Sequence, residues 1–379
     1  MKRIVIAGGG TGGHIYPSIS VIDQLRKRSN EKLEIIYVGS GSELEKSLYE
    51  ASDRSYTITA GKIRRYFSWR NFTDPFLTLI GWFQSLMYLL REMPDVVFAK
   101  GGYVSFPVAI AARMYRIPVV IHESDAIPGT SNRTLGKFAH RIGLGFLSAK
   151  EYFLEERVFF TGNIPRLGIT EGNPERARKT FSLSESKPVI LVLGGSQGSK
   201  AINMHIVDIL AEILPYAQII HQTGEGNMKE VEERAKKREG IKPGRDGYHP
   251  ITFLHEEEMK DAFSVADLVI SRAGATSIAE IAACRKVSIL IPLASSANDH
   301  QRMNAFIVAK KRATLVLEEA NLMEKMLAEK IKNILFDKEL REEIQKNIAE
   351  FDVPDSAQKV ADLILECATT SCATTPIKN

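Results

Sequence analysis

A short apolar run, Ile4 to Ala7, leads into Gly8-Gly9-Gly10-Thr11-Gly12-Gly13, and a histidine, His14, follows at once. A glycine-rich turn from strand to helix frees backbone N–H groups and aims a helix N-terminus at an anion. Gly8, Gly10 and Gly13 also satisfy the G-x-G-x-x-G spacing of dinucleotide sites. A nicotinamide cofactor would need an acid at the end of the second strand to hold its ribose. That strand reads LEIIYVG and runs out at Val38-Gly39-Ser40, with no acid there. A different phosphate ligand beside a chemically active histidine is the better expectation. The positive end of a helix disfavours protonation, so His14 is expected to be neutral at pH 7 and able to take a proton.

A second glycine loop, Gly194 to Ser199, reads GGSQGS. Around these loops stand KGGYVSFP and HESDAIPGTSNR in the first half, GNIPR at mid-chain, and SRAGATSIAEIAA and NDHQRMNA in the second half. They hold the other residues fit for chemistry: Glu123, Asp125, Arg166, Ser196, Ser277, Glu280 and Gln301. No Asp-x-Asp occurs anywhere, so a divalent ion held by the protein on a diphosphate is not expected.

The elements that must position these residues are legible as apolar runs. KRIVIA, LEIIYVG, DVVFAK, IPVVIHE, RIGLGF and RVFFTG occupy the first half; PVILVLGG, AQIIHQTG, ITFL, DLVISR, VSILIPL and ATLVL occupy the second. Continuous Val/Ile/Leu runs suit strands buried on both faces, and their alternation with helical patterns implies parallel sheets. At 379 residues the chain exceeds one ordinary core. The expectation is two doubly wound α/β domains facing each other across a cleft, with a hinge near Gly162 to Arg166. The first domain would span 1–163 and the second 164–350. A last helix over 351–366 would pack back on the first, before a disordered tail, 367–379.

Charge is uneven along the chain. Up to Asn163 there are 21 Lys+Arg against 15 Asp+Glu; the remainder has 29 against 31. A basic first half suggests an anionic partner, and without a basic run or a nucleic-acid motif, lipid or phosphorylated substrate is favoured over nucleic acid. Cys284, Cys367 and Cys372 give neither a disulfide framework nor zinc spacing, which fits a reducing cytoplasm. Lys2 and Arg3 lead into only four apolar residues, unlike a signal peptide.

In their order and wording, GGGTGGHIYP, GGYVSFP, GGSQGS, RAG…AEIAA and DHQ…NA resemble the MurG family of bacterial N-acetylglucosaminyltransferases, from about Arg3 to Glu366. The resemblance implies an α/β enzyme of two Rossmann-like domains, the GT-B type, that inverts the sugar anomer. Its donor would be UDP-GlcNAc and its acceptor undecaprenyl-diphosphoryl-MurNAc-pentapeptide, met at the cytoplasmic face of the membrane by a peripheral enzyme. No tightly bound cofactor is implied, although free Mg²⁺ is compatible. Another glycolipid acceptor, or a sugar-nucleotide-binding protein without catalysis, are the competing readings.

By this resemblance His14 deprotonates the acceptor C4 hydroxyl, with Glu123 as the competing base. Gly101, Gly102, Tyr103 and Ser105 lie near the acceptor diphosphate. Thr11, Gly12, Gly13, Arg166 and Ser196 approach the donor. The backbone of Leu254 reads uracil. Across Ala275, Thr276, Ser277, Ile278, Ala279 and Glu280, Ser277 meets a phosphate and Glu280 accepts both ribose hydroxyls. Gln301 bonds the sugar hydroxyls. The family usually has His-Glu-Gln-Asn where this chain has His122-Glu123-Ser124-Asp125, and Ala where it has Ser199. At the donor-binding position 125, an ionised aspartate accepts where an asparagine also donates.

Residues 62–91 hold both tryptophans, Trp69 and Trp82, and Phe67, Phe72, Phe76 and Phe83, beside Lys62, Arg64, Arg65 and Arg70. From Pro75, read as a helix start, to Leu90 the apolar residues cover more than one helix face. Too short and interrupted to span a bilayer, this run is expected to lie on an anionic membrane surface.

Overall fold

The computed structural model describes residues 1–29, 31–61, 70–238, 241–294, 296 and 299–369, the side chains of 70–72 excepted. The chain divides into two compact units, Met1–Leu167 with Val353–Asn379, and Gly168–Asp352.

The first unit holds a seven-stranded sheet, β1 (Lys2–Ala7), β2 (Leu33–Gly39), β3 (Arg54–Thr57), β4 (Val96–Ala99), β5 (Val119–Glu123), β6 (Arg141–Leu144) and β7 (Val158–Phe160). The order is β3-β2-β1-β4-β5-β6-β7, parallel throughout. The second holds β8 (Val189–Leu193), β9 (Gln218–Gln222), β10 (Tyr248–Ile251), β11 (Leu268–Ser271), β12 (Val287–Leu290) and β13 (Leu315–Val316), in the order β10-β9-β8-β11-β12-β13, again parallel. Both are Rossmann-like sheets. In each the strand order reverses beside the first strand, and ligands of such sheets bind there, beyond the carboxyl ends of the strands.

Helices cover both faces of each sheet, and the central strands are buried throughout. The helix Ser356–Cys367 lays Val360, Ala361 and Ile364 among Ile15, Val21 and Leu25 of the helix Gly12–Arg28, which places the end of the described chain on the first unit.

Several expectations are corrected. The chain leaves the first unit after Leu167, beyond the anticipated 163, because Ser20 Oγ donates to the Pro165 carbonyl (3.0 Å) and Arg166 stacks over the Tyr16 ring (4.1 Å). β3 was not anticipated: RSYT is largely exposed at the sheet edge and has no apolar run. In place of ITFL, the strand is Tyr248–Ile251, ending where ITFL begins, because its register with β9 pairs Tyr248 with Ile219 and Ile251 with Gln222. The helix read from Pro75 already runs at Arg70 and continues to Glu92, with Pro75 in its second turn. Most of the expected tail, from residue 370, lies outside the described residues, as do Lys62, Arg64, Arg65, Phe67 and Trp69.

Candidate functional site

In the first unit the loop after β1 and the loop after β4 meet at the strand-order reversal. Gly9 and Gly10 take φ of 143° and 86°, which side chains disfavour. The space beside them is filled by Glu45, from the short helix after β2. Gly10 N–H donates to Glu45 Oε1 (3.0 Å), Ser40 N–H (2.8 Å) and Gly41 N–H (3.2 Å) donate to Oε2, and the Ser40 hydroxyl donates to Oε1 (2.7 Å). A Cβ on Gly9 would stand 2.1 Å from Glu45 Oε1. An internal carboxylate thus takes the first loop's Gly10 N–H, the kind of donor a phosphate would use. Glu45 lies beyond the position where a ribose-binding acid was sought, and nothing in its sequence setting marks this role. Glu45→Ala strips the Gly10 and Ser40 N–H groups of their acceptor, Gly41 N–H keeping Tyr49 Oη (2.9 Å), and should lower stability by about 2 kcal/mol or more. Chemical denaturation measures this; a loss under about 1 kcal/mol would mean that water replaces the carboxylate.

Thr11 precedes the helix Gly12–Arg28 without a capping bond from its side chain, and His14 lies in the helix's first turn. His14 Nδ1 is 3.2 Å from the Gly9 carbonyl and 3.2 Å from Thr11 Oγ1. A carbonyl only accepts, so Nδ1–H donates to it, and the neutral ring carries its lone pair on Nε2. Nε2 faces Gly101: a Cβ there would lie 3.4 Å from it and 3.7 Å from Asn132 Nδ2. The absence of a side chain at Gly101 (φ 120°) keeps this space open. Tyr103 closes over Gly10, where a Cβ would stand 3.0 Å from its ring. Ser105, expected near the acceptor diphosphate, has its side chain turned to the backbone. Its buried hydroxyl accepts from Gly101 N–H (3.1 Å) and reaches the Ala7 (3.0 Å) and Gly101 (2.5 Å) carbonyls, so it braces backbone instead.

Glu123 ends β5 almost wholly buried. Its carboxylate accepts from Asp125 N–H (2.8 Å), Gly129 N–H (3.3 Å) and Asn132 Nδ2 (2.9 Å). Burial, then the Asp125 charge, pushes its carboxyl above the usual range. These three donors make Glu123 a brace of the 124–132 segment, which weakens its candidacy as a base. Beside it lies Lys100, which sequence reasoning did not single out. Its Nζ is 3.0 Å from His122 Nδ1 and 2.5 Å from Ser124 Oγ. Among the described residues, no group of three or more His, Cys, Asp or Glu is placed to hold a metal ion.

In the second unit the corresponding loops follow β8 and β11. Ser199 caps the helix Lys200–Asp208, accepting from Ile202 N–H (3.3 Å). Arg272, also missed, donates to Ser199 Oγ (2.6 Å) and to the carbonyls of Ile291 (3.2 Å) and Pro292 (3.3 Å), and pairs with Glu319. It thereby ties the ends of β8, β11 and β12 together. Ser196 and Gly195 stand at the solvent side of the loop. Gln222 donates to the Gly195 carbonyl (3.0 Å) and accepts from Leu254 N–H (2.9 Å), so of the Leu254 backbone expected to read a base, the N–H is already engaged.

The helix Ala275–Ala283 begins after Gly274 with no acid in its first turn, and Thr276 and Ser277 are half-exposed there. Such an end suits an anion. Ala275, Ile278 and Ala279 are buried. Glu280 lies in the second turn, not at the helix start, and is buried. Gln301 lies at the start of the helix His300–Lys310, its Oε1 held by Leu293 N–H (3.0 Å). Asn304 Nδ2 donates to the Ala273 carbonyl (3.2 Å) and binds that helix to the loop after β11. Thus Ser196, the Ala275–Glu280 segment and Gln301 gather on the second sheet, whereas His14, Gly101 to Tyr103, Glu123, Asp125 and Arg166 belong to the first unit.

The Glycosyltransferase family 28 N-terminal domain matches residues 4–144, and the family's C-terminal domain matches residues 189–360. The UDP-N-acetylglucosamine–N-acetylmuramyl-(pentapeptide) pyrophosphoryl-undecaprenol N-acetylglucosamine transferase of Clostridium perfringens is 36% identical over 368 residues, 97% of this chain and 98% of that one. The Clostridium botulinum protein of the same name is 36% identical over 366 residues, 96% and 99% of the two chains. The crystal structure of Acinetobacter baumannii MurG is similar with a TM-score of 0.72 and 25% identity, covering 97% of this chain and all of that one.

Proposed function

The chain belongs to glycosyltransferase family 28 in both of its units, and from this premise we infer that it moves GlcNAc from UDP-GlcNAc to the C4 hydroxyl of undecaprenyl-diphosphoryl-MurNAc-pentapeptide, in peptidoglycan synthesis. The observation that carries this reading is a likeness that spans both units of transferases named for this reaction. The acceptor oxygen attacks the anomeric carbon as the bond from that carbon to the UDP phosphate breaks, and the configuration inverts. His14 Nε2 takes the hydroxyl proton. Glu123 holds the segment opposite in place. The leaving diphosphate carries its charge to the first turn of the helix Ala275–Ala283 and to the loop around Ser196, where N–H dipoles lower the cost of that charge. No tightly bound cofactor enters this reading, and free Mg²⁺ on the diphosphate is compatible with it.

Glu280 supplies the acceptor for the ribose diol. Glu280→Ala should weaken UDP binding by about 1–3 kcal/mol, because the diol loses a charged partner. Calorimetry with UDP, UDP-GlcNAc and NAD⁺ measures this and also tests the donor. Tight NAD⁺ binding without UDP binding would overturn the reading, and unchanged UDP affinity in the variant would displace the ribose from Glu280. Turnover of UDP-GlcNAc with the lipid-linked acceptor, followed by release of UDP, tests the reaction itself.

The acceptor's lipid chain places the reaction at a bilayer surface, and the helix Arg70–Glu92 supplies the contact. Gly81, Ser85, Leu89 and Glu92 face inward. Phe76, Leu79, Ile80, Phe83, Met87 and Leu90 recur at helical spacing on the opposite side, all exposed, Phe76 by 67% and Met87 by 72%. Trp82, expected in this patch, instead packs partly buried against the first unit's core. No described helix is long and apolar enough to cross a membrane. The stripe suits binding in the interface, with enzyme held peripherally at the cytoplasmic face.

A further inference from the structure

The first glycine loop carries its own anion. Glu45 is fully buried, and its carboxylate takes N–H groups from Gly10 (3.0 Å), Ser40 (2.8 Å) and Gly41 (3.2 Å), with hydroxyls from Ser40 (2.7 Å) and Tyr49 (3.3 Å). Sealing a carboxylate among neutral donors costs free energy. A brace of the loop alone needs no charge, as Tyr37 shows by donating its hydroxyl to the Gly8 carbonyl (2.6 Å).

The chain of contacts does not end at Gly10 N–H. The same peptide unit carries the Gly9 carbonyl, and in a trans peptide the N–H and C=O point to opposite sides. On one side the N–H meets Glu45 Oε1; on the other the carbonyl meets His14 Nδ1 at 3.2 Å. A single peptide thus stands between a buried carboxylate and the imidazole. Thr11 Oγ1 also lies 3.2 Å from Nδ1, but a hydroxyl suits either tautomer, whereas the carbonyl only accepts. Glycine on both sides of the peptide, with φ of 143° and 86°, leaves it free to turn unless something holds it. An anion at the N–H end also polarises the group and makes its carbonyl a better acceptor.

We propose that Glu45 is a positioning residue for His14: through the Gly9–Gly10 peptide it fixes the Nδ1–H tautomer and steadies the charge that the ring takes on during transfer. A base oriented by a third group is a general device, and here a backbone amide is interposed. The acceptor hydroxyl proton goes to Nε2, Nδ1 keeps its hydrogen, and Glu45 takes no proton. This rests on the transferase reading, in which His14 is the base.

Glu45→Gln tests it, because glutamine keeps the size and one acceptor oxygen and removes the charge. It should lower kcat by about 10-fold and leave KM for UDP-GlcNAc within about 2-fold, since the donor-side residues belong to the other unit. In a His14→Ala background, where no ring remains to be held, the same change should cost less than about 2-fold in the residual turnover. Nitrogen NMR of the imidazoles reads the tautomer without turnover, the His14 signal being the one lost in His14→Ala. Wild type should show Nδ1–H, and Glu45→Gln a mixture with Nε2–H. Equal kcat losses in both backgrounds, no loss in either, or a tautomer unmoved by Glu45→Gln would make Glu45 a brace of the loop and overturn the proposal. A wild-type ring protonated on Nε2 would overturn it without any variant having to fold. A protein that never turns over UDP-GlcNAc would instead overturn the transferase reading, and the tautomer would still decide whether Glu45 governs His14.

Discussion

His14→Ala is expected to lower kcat by a factor of about 10² or more, with UDP affinity kept. The imidazole lies in the first turn of the helix Gly12–Arg28, and Nδ1 is committed to the Gly9 carbonyl, so Nε2 is the atom with a lone pair to give. Among the described residues of the first unit, two other groups of a type that can act as a base are engaged. The Glu123 carboxylate is spent on three N–H donors, and the His122 ring is sealed between Lys100 and Gly162. The donor-side residues Ser196, Ser277, Glu280 and Gln301 all belong to the other unit, which is why the loss should fall on kcat and leave UDP binding intact. Alanine also removes the Nδ1–H bond and frees the Gly9 carbonyl. His14→Asn controls for that, because its amide N–H₂ can reach the same carbonyl but offers no base. Both variants should be equally slow. An active Asn variant would make His14 a brace of the loop, and an active Ala variant would remove it from the mechanism.

Replacing Phe76, Phe83 and Met87 together by serine should lower partitioning onto anionic vesicles by about 100-fold. An apolar side chain of this size gains about 1.5–3 kcal/mol on full burial. An interfacial helix buries only one side of each, so about 1 kcal/mol per residue is a fair share, and three residues give about 3 kcal/mol. These side chains are exposed, so their loss should leave the melting temperature and UDP-GlcNAc binding nearly unchanged. Raised salt should weaken the wild-type interaction further, since each basic residue near an anionic surface adds about 1 kcal/mol that salt screens. Flotation with vesicles of graded anionic content measures both effects. Equal recovery of wild type and the triple variant would mean that the stripe does not meet the bilayer.

The sequence by itself determined the class of fold and where to look for the site. Strands buried on both faces, such as Val189–Leu193 and Val119–Glu123, must be apolar along their whole length, so they announce themselves locally. The glycine loops are equally local, because a tight turn from strand to helix demands glycine at nearby positions. Edge strand Arg54–Thr57 escaped notice because exposure removes that demand. The tertiary structure alone decided which polar groups answer one another. Glu45 meets Gly10 across 35 residues, Lys100 meets Ser124 across 24, and Arg272 meets Ser199 across 73. A buried charge needs a partner, but nothing in a residue's own neighbourhood says from which strand end that partner will come. Only the sheet order, by bringing the carboxyl ends of β1, β4 and β5 side by side, and likewise β8, β11 and β12, settles which charge is balanced and which glycine must stay bare.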